Sequence, residues 1–287
     1  MIENKFVYGA AKISNLKPKP AKELIHAIYE LGVREIDTAP SYENSEKIIG
    51  GLIHDFPDFK VNTKIGLNKQ HTITPISIQE SINTSLEILG LSKINTLFVH
   101  SVPSHLISDE VMSTLYELKK QKLCDAIAYS GDGVDLRNQI TKDKSTFDTF
   151  MFTYNFLDCA NTKVMNLYKT KSEVYIKRVL GNSVWRKRTT KDVLKDLLGR
   201  TRGHDEYRKR MSQLYPRGLK NGYAASLDFV RYEFPLAKYV IGISNLKQCK
   251  DLNRYLGNHS VPDRTVMELM KQVYQDRAGE VEFLPVT

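Results

Sequence analysis

The chain has 287 residues, of which 41% are hydrophobic and 26% charged, ordinary values for a globular protein with a core of good size. No apolar run approaches the roughly 18 residues that a membrane span requires, and the start, MIENKFVYGA, shows no basic stretch followed by a long apolar one, so a membrane partner is not expected and the expected location is cytoplasmic. The formal net charge of +9 is confined: residues 177–220 hold fourteen Lys and Arg against four Asp and Glu, with only Trp185, Tyr207 and Tyr215 as aromatic interleaving, so a nucleic-acid partner is not expected either.

The predicted elements alternate along the chain. A strand over 6–9 is followed by a helix over 20–32, with Leu24, Ile25, Ile28 and Leu31 on one face and Gly32 as its stop. A strand over 34–39 and a helix over 45–56 come next. The third strand, 60–66, leads to a helix that opens at Pro75 and stops at Gly90. The fourth, 94–101, leads to a helix over 108–122 with Ser108 as N-cap. Strands over 124–131, 149–155 and 173–180 follow. A long connection, 181–236, contains helical pieces at 191–199 and 225–234. An eighth strand, 238–244, and a helix over 245–256 follow it.

Strands separated by helical stretches pair in parallel, because the crossover needs the length of a helix. Eight such units predict a closed (β/α)8 TIM barrel, one domain over 1–287, with an elaborated, basic connection after strand seven. The first strand–helix turn, YGAAKISNLK, lacks the G-x-G-x-x-G dinucleotide fingerprint. Three dispersed cysteines form no Cys-x-x-Cys pair and the seven histidines show no metal spacing. No disulfide framework and no metal site is expected.

In such a barrel the reacting groups stand at the carboxyl ends of the strands. Asp37, Lys64 and His100 end predicted strands two, three and four, and Tyr42 lies in the loop after strand two. Each alone has a structural explanation: a turn aspartate, a rim tyrosine, a buried histidine. Together, on consecutive strands, they form a proton-delivery set. A free phenol has a pKa of about 10. A neighbouring ammonium favours the phenolate and lowers that value. Asp37 supplies the ammonium's counter-charge, and His100 can orient a carbonyl oxygen. The set predicts reduction of an aldehyde or ketone once a hydride donor is present.

These residues sit in stretches that resemble the aldo-keto reductase family: GVREIDTAPSYENSEKIIG, VNTKIG, SINTSLEILGLSKINTLFVHS, CDAIAYSGD, FDTFMFTYNFLD, VYIKRVLG and VIGISNLKQCKDL, in family order. The resemblance implies a nicotinamide-dependent oxidoreductase that usually prefers NADP, with NAD as the alternative. It assigns Asp37, Tyr42, Lys64 and His100 as catalytic, with Tyr42 the general acid. The cofactor positions it implies are Ser130, Met151, Arg178, Gly242, Ser244, Asn245, Gln248 and Asp251. Here Gly131 stands in place of the family's Asn, Met151 in place of Gln, Asp251 in place of Glu, and Leu252 in place of Asn. Lys247 and Lys250 are candidate partners for a 2′-phosphate.

The confined positive charge predicts an anion at the mouth: the cofactor, and an anionic carbonyl or alcohol substrate such as a sugar phosphate or sugar nucleotide. The drifted cofactor positions keep a second expectation open, a non-catalytic nucleotide-binding regulatory subunit on the same barrel. The sequence leaves oligomeric state open.

Overall fold

A computed structural model describes residues 5–142, 147–156, 158, 159, 161, 174–181, 222–257, 264, 267 and 268. Eight parallel strands close into a barrel in sequential order: β1 (Phe6–Gly9), β2 (Glu35–Asp37), β3 (Lys60–Ile65), β4 (Ile94–His100), β5 (Cys124–Ser130), β6 (Thr149–Thr153), β7 (Tyr175–Lys177) and β8 (Lys238–Gly242). β1 closes on β8 with Val7 opposite Val240. Helices α1 (Pro18–Glu30), α2 (Ser45–Gly50), α3 (Pro75–Leu89), α4 (Asp109–Lys120), α5 (Gly133–Lys142), α6 (Gly222–Glu233) and α7 (Leu246–Gly257) occupy the connections. The barrel expected from the sequence is therefore present. The basic connection, 182–221, lies outside the described residues, as does the helical piece at 191–199.

Local chemistry explains the boundaries. Thr74 and Ser77 form a reciprocal capping box before α3, Pro75 opens the helix and Gly90 ends it in the left-handed conformation at φ 65°. Ser108 caps α4 by accepting from the Val111 amide. α1 buries Leu24, Ile25 and Ile28 as the periodicity requires.

Two expectations need correction. The helix expected over 45–56 stops at Gly50, and Ile53–Asp55 is a short 3-10 turn. A Cβ at Gly50 would stand 2.2 Å from the Ile88 carbonyl oxygen, so glycine lets α2 lie against the backbone of α3 at the cost of helix continuity. α5 was not expected at all. It has only a sparse apolar pattern, with Leu136 and Ile140 buried at one i, i+4 spacing and Val134 exposed.

The chain forms two compact units. The first, Met1–Phe152, Ser172–Lys177 and Ala237–His259, holds nearly all of the barrel. Its interior is packed by Val7, Phe98, Ala128, Met151, Tyr175 and Val240. Because side chains alternate along a strand, the residue two positions beyond each of these shares the inward face. That rule places His100 beyond Phe98 and Ser130 beyond Ala128 at the barrel mouth. The second unit comprises Thr153–Lys171, Arg178–Leu236 and Ser260–Thr287. Among its described residues, Tyr154 stacks on Phe229 at 5.8 Å and meets Phe234 edge-on at 4.7 Å, which fixes α6 to the chain leaving β6.

Candidate active site

The site begins with β2 and the loop that leaves it. Asp37 ends β2 with its side chain buried. The next residues fold back tightly: the Tyr42 amide donates to the Ala39 carbonyl, and the Ser45 amide donates to the Tyr42 carbonyl. The hydroxyls of Thr38 and Ser45 lie 2.8 Å apart, and Ser45 also donates to the Ala10 carbonyl at 3.0 Å. Glu46 accepts from Thr63 Oγ1 at 2.5 Å and ties α2 to β3. Tyr42 thus projects from a loop locked at both ends. Sequence reasoning did not single out Thr38, Ser45 or Glu46; their signal was the Thr-x-x-x-x-x-x-Ser-Glu spacing inside the same motif.

Lys64 lies on β3 and is 1% exposed. Its Nζ donates to Asp37 Oδ1 at 2.6 Å and to the Thr38 carbonyl at 2.7 Å. The same nitrogen stands 5.0 Å from the centroid of the Tyr42 ring. Burial pushes the Asp37 carboxyl up and the Lys64 ammonium down, and each is opposed by the charge of the other. An ion pair this deep persists because its geometry is close and the ammonium has a second acceptor in the Thr38 carbonyl. The Tyr42 and His100 rings meet edge-on at 6.3 Å and 85°. Burial, then the charges of Lys64 and Lys177, holds the His100 imidazole at about 3. It is therefore neutral at physiological pH and can present one N–H donor and one acceptor.

The exit from His100 is also fixed. Ser101 adopts φ 53°, its amide donates to the Ser130 carbonyl at 2.7 Å, and the Tyr129 hydroxyl donates to the Val102 carbonyl at 2.9 Å. The Tyr129 ring explains Gly131. A Cβ there would lie 2.5–2.8 Å from three atoms of the Tyr129 side chain, so the glycine that replaces the family's Asn is required by its neighbour.

The expected cofactor residues fall into three groups. Ser130 lies opposite His100 on β4 and opposite Met151 on β6, so these three share one level of the wall. Ser130 Oγ is fully buried with no hydrogen-bond partner among the described residues, and Met151 belongs to the apolar core. The second group surrounds the start of α7. Gln248 Oε1 accepts from the Ser244 amide at 2.6 Å and from its hydroxyl at 3.1 Å, while Asn245 Oδ1 caps the helix by accepting from the Gln248 amide at 3.1 Å. Gly242 ends β8, and a Cβ there would meet nothing within 4 Å, so no neighbour among the described residues demands glycine. Asp251 pairs with Arg254 at 3.8 Å. Arg178 is the third case: it belongs to the second unit, at φ 58°, with its carbonyl accepting from Asn155 Nδ2 at 3.1 Å. Two residues that sequence reasoning missed stand at strand ends: Lys177 closes β7, and Asp132, just beyond β5, lies 3.1 Å from its ammonium.

An acid–amine pair, a phenol over the amine and an imidazole thus stand together at the carboxyl ends of adjacent strands, where (β/α)8 barrels hold their reacting groups. The sequence model described as "Aldo/keto reductase family" matches residues 5–273. This chain belongs to the aldo/keto reductase family, a family of oxidoreductases. It is 27% identical over 168 residues to D-threo-aldose 1-dehydrogenase of a Pseudomonas species, a match that covers 47% of this chain and 51% of that protein, and so spans about half the length of that curated relative. Among solved structures, an aldo-keto reductase from Bacillus halodurans superposes with TM-score 0.78 at 16% identity, over 94% of this chain and 91% of that one. The glycerol dehydrogenase of Gluconobacter oxydans superposes with TM-score 0.78 at 18% identity, over 98% and 95%. At these identities the superpositions establish the fold.

Proposed function

We propose that this protein is an NAD(P)H-dependent oxidoreductase that reduces an aldehyde or ketone to an alcohol, or runs the reverse reaction, with Tyr42 as general acid and base. The observation that carries the reading is the Lys64 ammonium, bonded to Asp37 at 2.6 Å and 5.0 Å from the Tyr42 ring. A cation so placed stabilises the phenolate that is left after proton donation, and Asp37 keeps it charged in a buried place. His100, neutral, donates a hydrogen bond to the carbonyl oxygen and aims it at the Tyr42 hydroxyl. In the reverse direction the phenolate accepts the alcohol proton.

The residues fit a nicotinamide cofactor. The unpartnered Ser130 hydroxyl is suited to hold a carboxamide. Open space at Gly242, followed by the amides that begin α7, suits a phosphate. Lys247 and Lys250 would favour NADP over NAD. Bound there, the cofactor supplies the hydride; the chain supplies the proton, the orientation and the exclusion of water. The charge between 177 and 220 supports an anionic carbonyl substrate such as a sugar phosphate or sugar nucleotide.

Titration with NADPH and NADH, read by nicotinamide fluorescence and followed by a screen of carbonyl substrates, tests this reading. Micromolar binding with turnover is expected. Absence of binding by either cofactor would overturn the reading, and tight binding without turnover on any carbonyl would favour the regulatory-subunit alternative.

A further inference from the structure

Behind β3 lies a buried carboxylate that the proton-transfer chemistry leaves unused. Glu46 stands in the first turn of α2, just after the loop that carries Tyr42, and is only 4% exposed. Lys64 turns into the barrel, since its partner on β4, Phe98, belongs to the interior. Alternation therefore turns Thr63 outward, towards α2. Thr63 Oγ1 donates to Glu46 Oε1 at 2.5 Å, and the carboxylate takes a second hydrogen bond from the buried Ser85 side chain on α3. Burial pushes the Glu46 carboxyl up, opposed by these two bonds and then by the charge of Lys64. The influence is mutual. Burial drives the Lys64 ammonium towards its neutral form, and the charges that resist this are Asp37 and Glu46. Asp37 binds the ammonium inside the barrel at 2.6 Å, and Glu46 stands on the other side of the strand.

We propose that Glu46 is a positioning residue for proton delivery, a second carboxylate that anchors the Lys64 ammonium from the outer side of β3. The proposal rests on the carbonyl-reduction reading above. Packing alone does not ask for a charge between α2, α3 and β3, because an amide of the same shape also accepts from Thr63. A carboxylate buried here bears a desolvation cost that two hydroxyls offset only in part, and the nearby ammonium offsets more of it. In return the ammonium beside the Tyr42 ring lies between two negative charges instead of one. Its other neighbours are the Tyr42 ring at 5.0 Å, the Phe98 ring at 5.9 Å and His100 on β4. Glu35 of β2 and Lys177 of β7 act on Asp37 with opposite signs. Without the Glu46 charge the ammonium is neutralised at lower pH, and the phenol loses at that point the cation that stabilises its phenolate. Removing an anion also eases ionisation of the phenol itself, so both effects bring the loss of the proton donor to lower pH.

The test follows kcat from pH 6 to pH 10 for reduction of 4-nitrobenzaldehyde, using the full chain saturated with its tighter-binding nicotinamide cofactor. This aldehyde has no ionisable group of its own in that range. Glu46→Gln keeps the shape and an acceptor for Thr63 but removes the charge. Its alkaline limb is expected about one pH unit below that of wild type, so kcat on the limb falls about tenfold while KM changes little. Glu46→Asp, which keeps the charge, is expected to hold the limb near its wild-type position. Thr63→Val removes the bond but leaves the carboxylate ionised at alkaline pH, and is expected to lower the urea midpoint without moving the limb. Cofactor affinity, read by fluorescence on each variant, reports whether the fold survives. If Glu46→Gln does not fold, Glu46→Met combined with Thr63→Val removes both partners together, leaves neither unpaired, and carries the same expectation. An unmoved limb in the folded charge-free variant, or an equal shift in Thr63→Val, would overturn the proposal and leave Glu46 a packing residue. If the wild type consumed no nicotinamide with any aldehyde, the carbonyl-reduction reading would fall and the proposal with it, whereas turnover with an unmoved limb removes only the Glu46 assignment.

Discussion

The barrel carries a tyrosine, a lysine and a carboxylate at each of its two ends, and they are wired differently. At the mouth the ammonium of Lys64 binds Asp37 and lies over the Tyr42 ring. At the floor Tyr175 donates its hydroxyl directly to Glu35 at 2.5 Å and Asn62 donates to Glu35 at 2.6 Å, while Lys238 binds the other oxygen of Glu35 at 2.8 Å, donates to the Tyr175 hydroxyl at 3.2 Å and stands 5.0 Å from the centroid of its ring. A phenol that hydrogen-bonds to a carboxylate keeps its proton. Burial and then the Glu35 charge push the Tyr175 pKa well above its ordinary value. The floor has the chemical inventory of a proton donor but locks the proton in place. At the mouth the carboxylate binds the amine, and the amine stands 5.0 Å from the centroid of the phenol ring. Residue type alone does not separate the two ends; at the floor it is the phenol–carboxylate bond that holds the proton in place.

The sharpest way to break this comparison is to remove the two hydroxyls in turn. Tyr42→Phe is expected to lower kcat roughly 10²–10⁴-fold, the usual range for loss of a positioned acid or base, with cofactor affinity retained in a fluorescence titration. Tyr175→Phe leaves Glu35 one donor short and is expected to cost about 1–3 kcal/mol of stability in urea unfolding, with kcat changed less than twofold. Equal losses of kcat in the two variants would erase the distinction between mouth and floor.

Removing the amines comes next. Lys64→Met strands the buried Asp37 carboxylate and is expected to cost about 3–5 kcal/mol. Lys238→Met is expected to cost about 1–2 kcal/mol, because Glu35 keeps its bonds from Tyr175 and Asn62 and the Lys238 side chain is 17% exposed. Denaturant midpoints of the two variants against wild type decide the order; a costlier Lys238 variant would reverse the assignment of the more deeply committed ion pair.

The mouth was far more legible in sequence than the floor. Asp37, Tyr42, Lys64 and His100 lie on consecutive strands and next to turn signals, so the rule that reacting groups occupy strand ends was enough to group them. Tyr175 and Lys238 stand at the starts of β7 and β8 and meet Glu35 from β2 across the closure of the barrel, where sequence separation gives no guidance. Asp132 and Lys177 were missed for a related reason: β5 and β7 are not neighbours, and the inward direction of Lys177 depends on the register of a three-residue strand. Gly131 was visible as a departure from the family, but its cause, the Tyr129 ring in the space a side chain would need, exists only in three dimensions. Helix limits set by strong local chemistry, as at Pro75 and Gly90, were readable; the break at Gly50 was set by the approach of α3.

The smallest expected effect separates the mouth from the rest of the chain by its response to acid. His100 is held neutral, with its pKa at about 3 against 6.5 for an ordinary imidazole. Below pH 6.5 the unfolded chain takes up a proton at this residue that the folded protein does not, so the unfolded state binds more protons and stability falls as the pH falls. The contribution is fully present above pH 6.5 and is lost progressively towards pH 3. By pH 5 the loss amounts to at most about 2 kcal/mol, since one pKa unit is worth about 1.4 kcal/mol. Urea unfolding at pH 7, 6 and 5 is expected to show a steeper loss for wild type than for His100→Gln, which cannot titrate. Matching slopes would mean that the folded imidazole takes the proton as easily as the unfolded one. A charged His100 beside Lys64 would then raise the cost of the buried ammonium, and the proposed role of His100 as a neutral hydrogen-bond donor would fail.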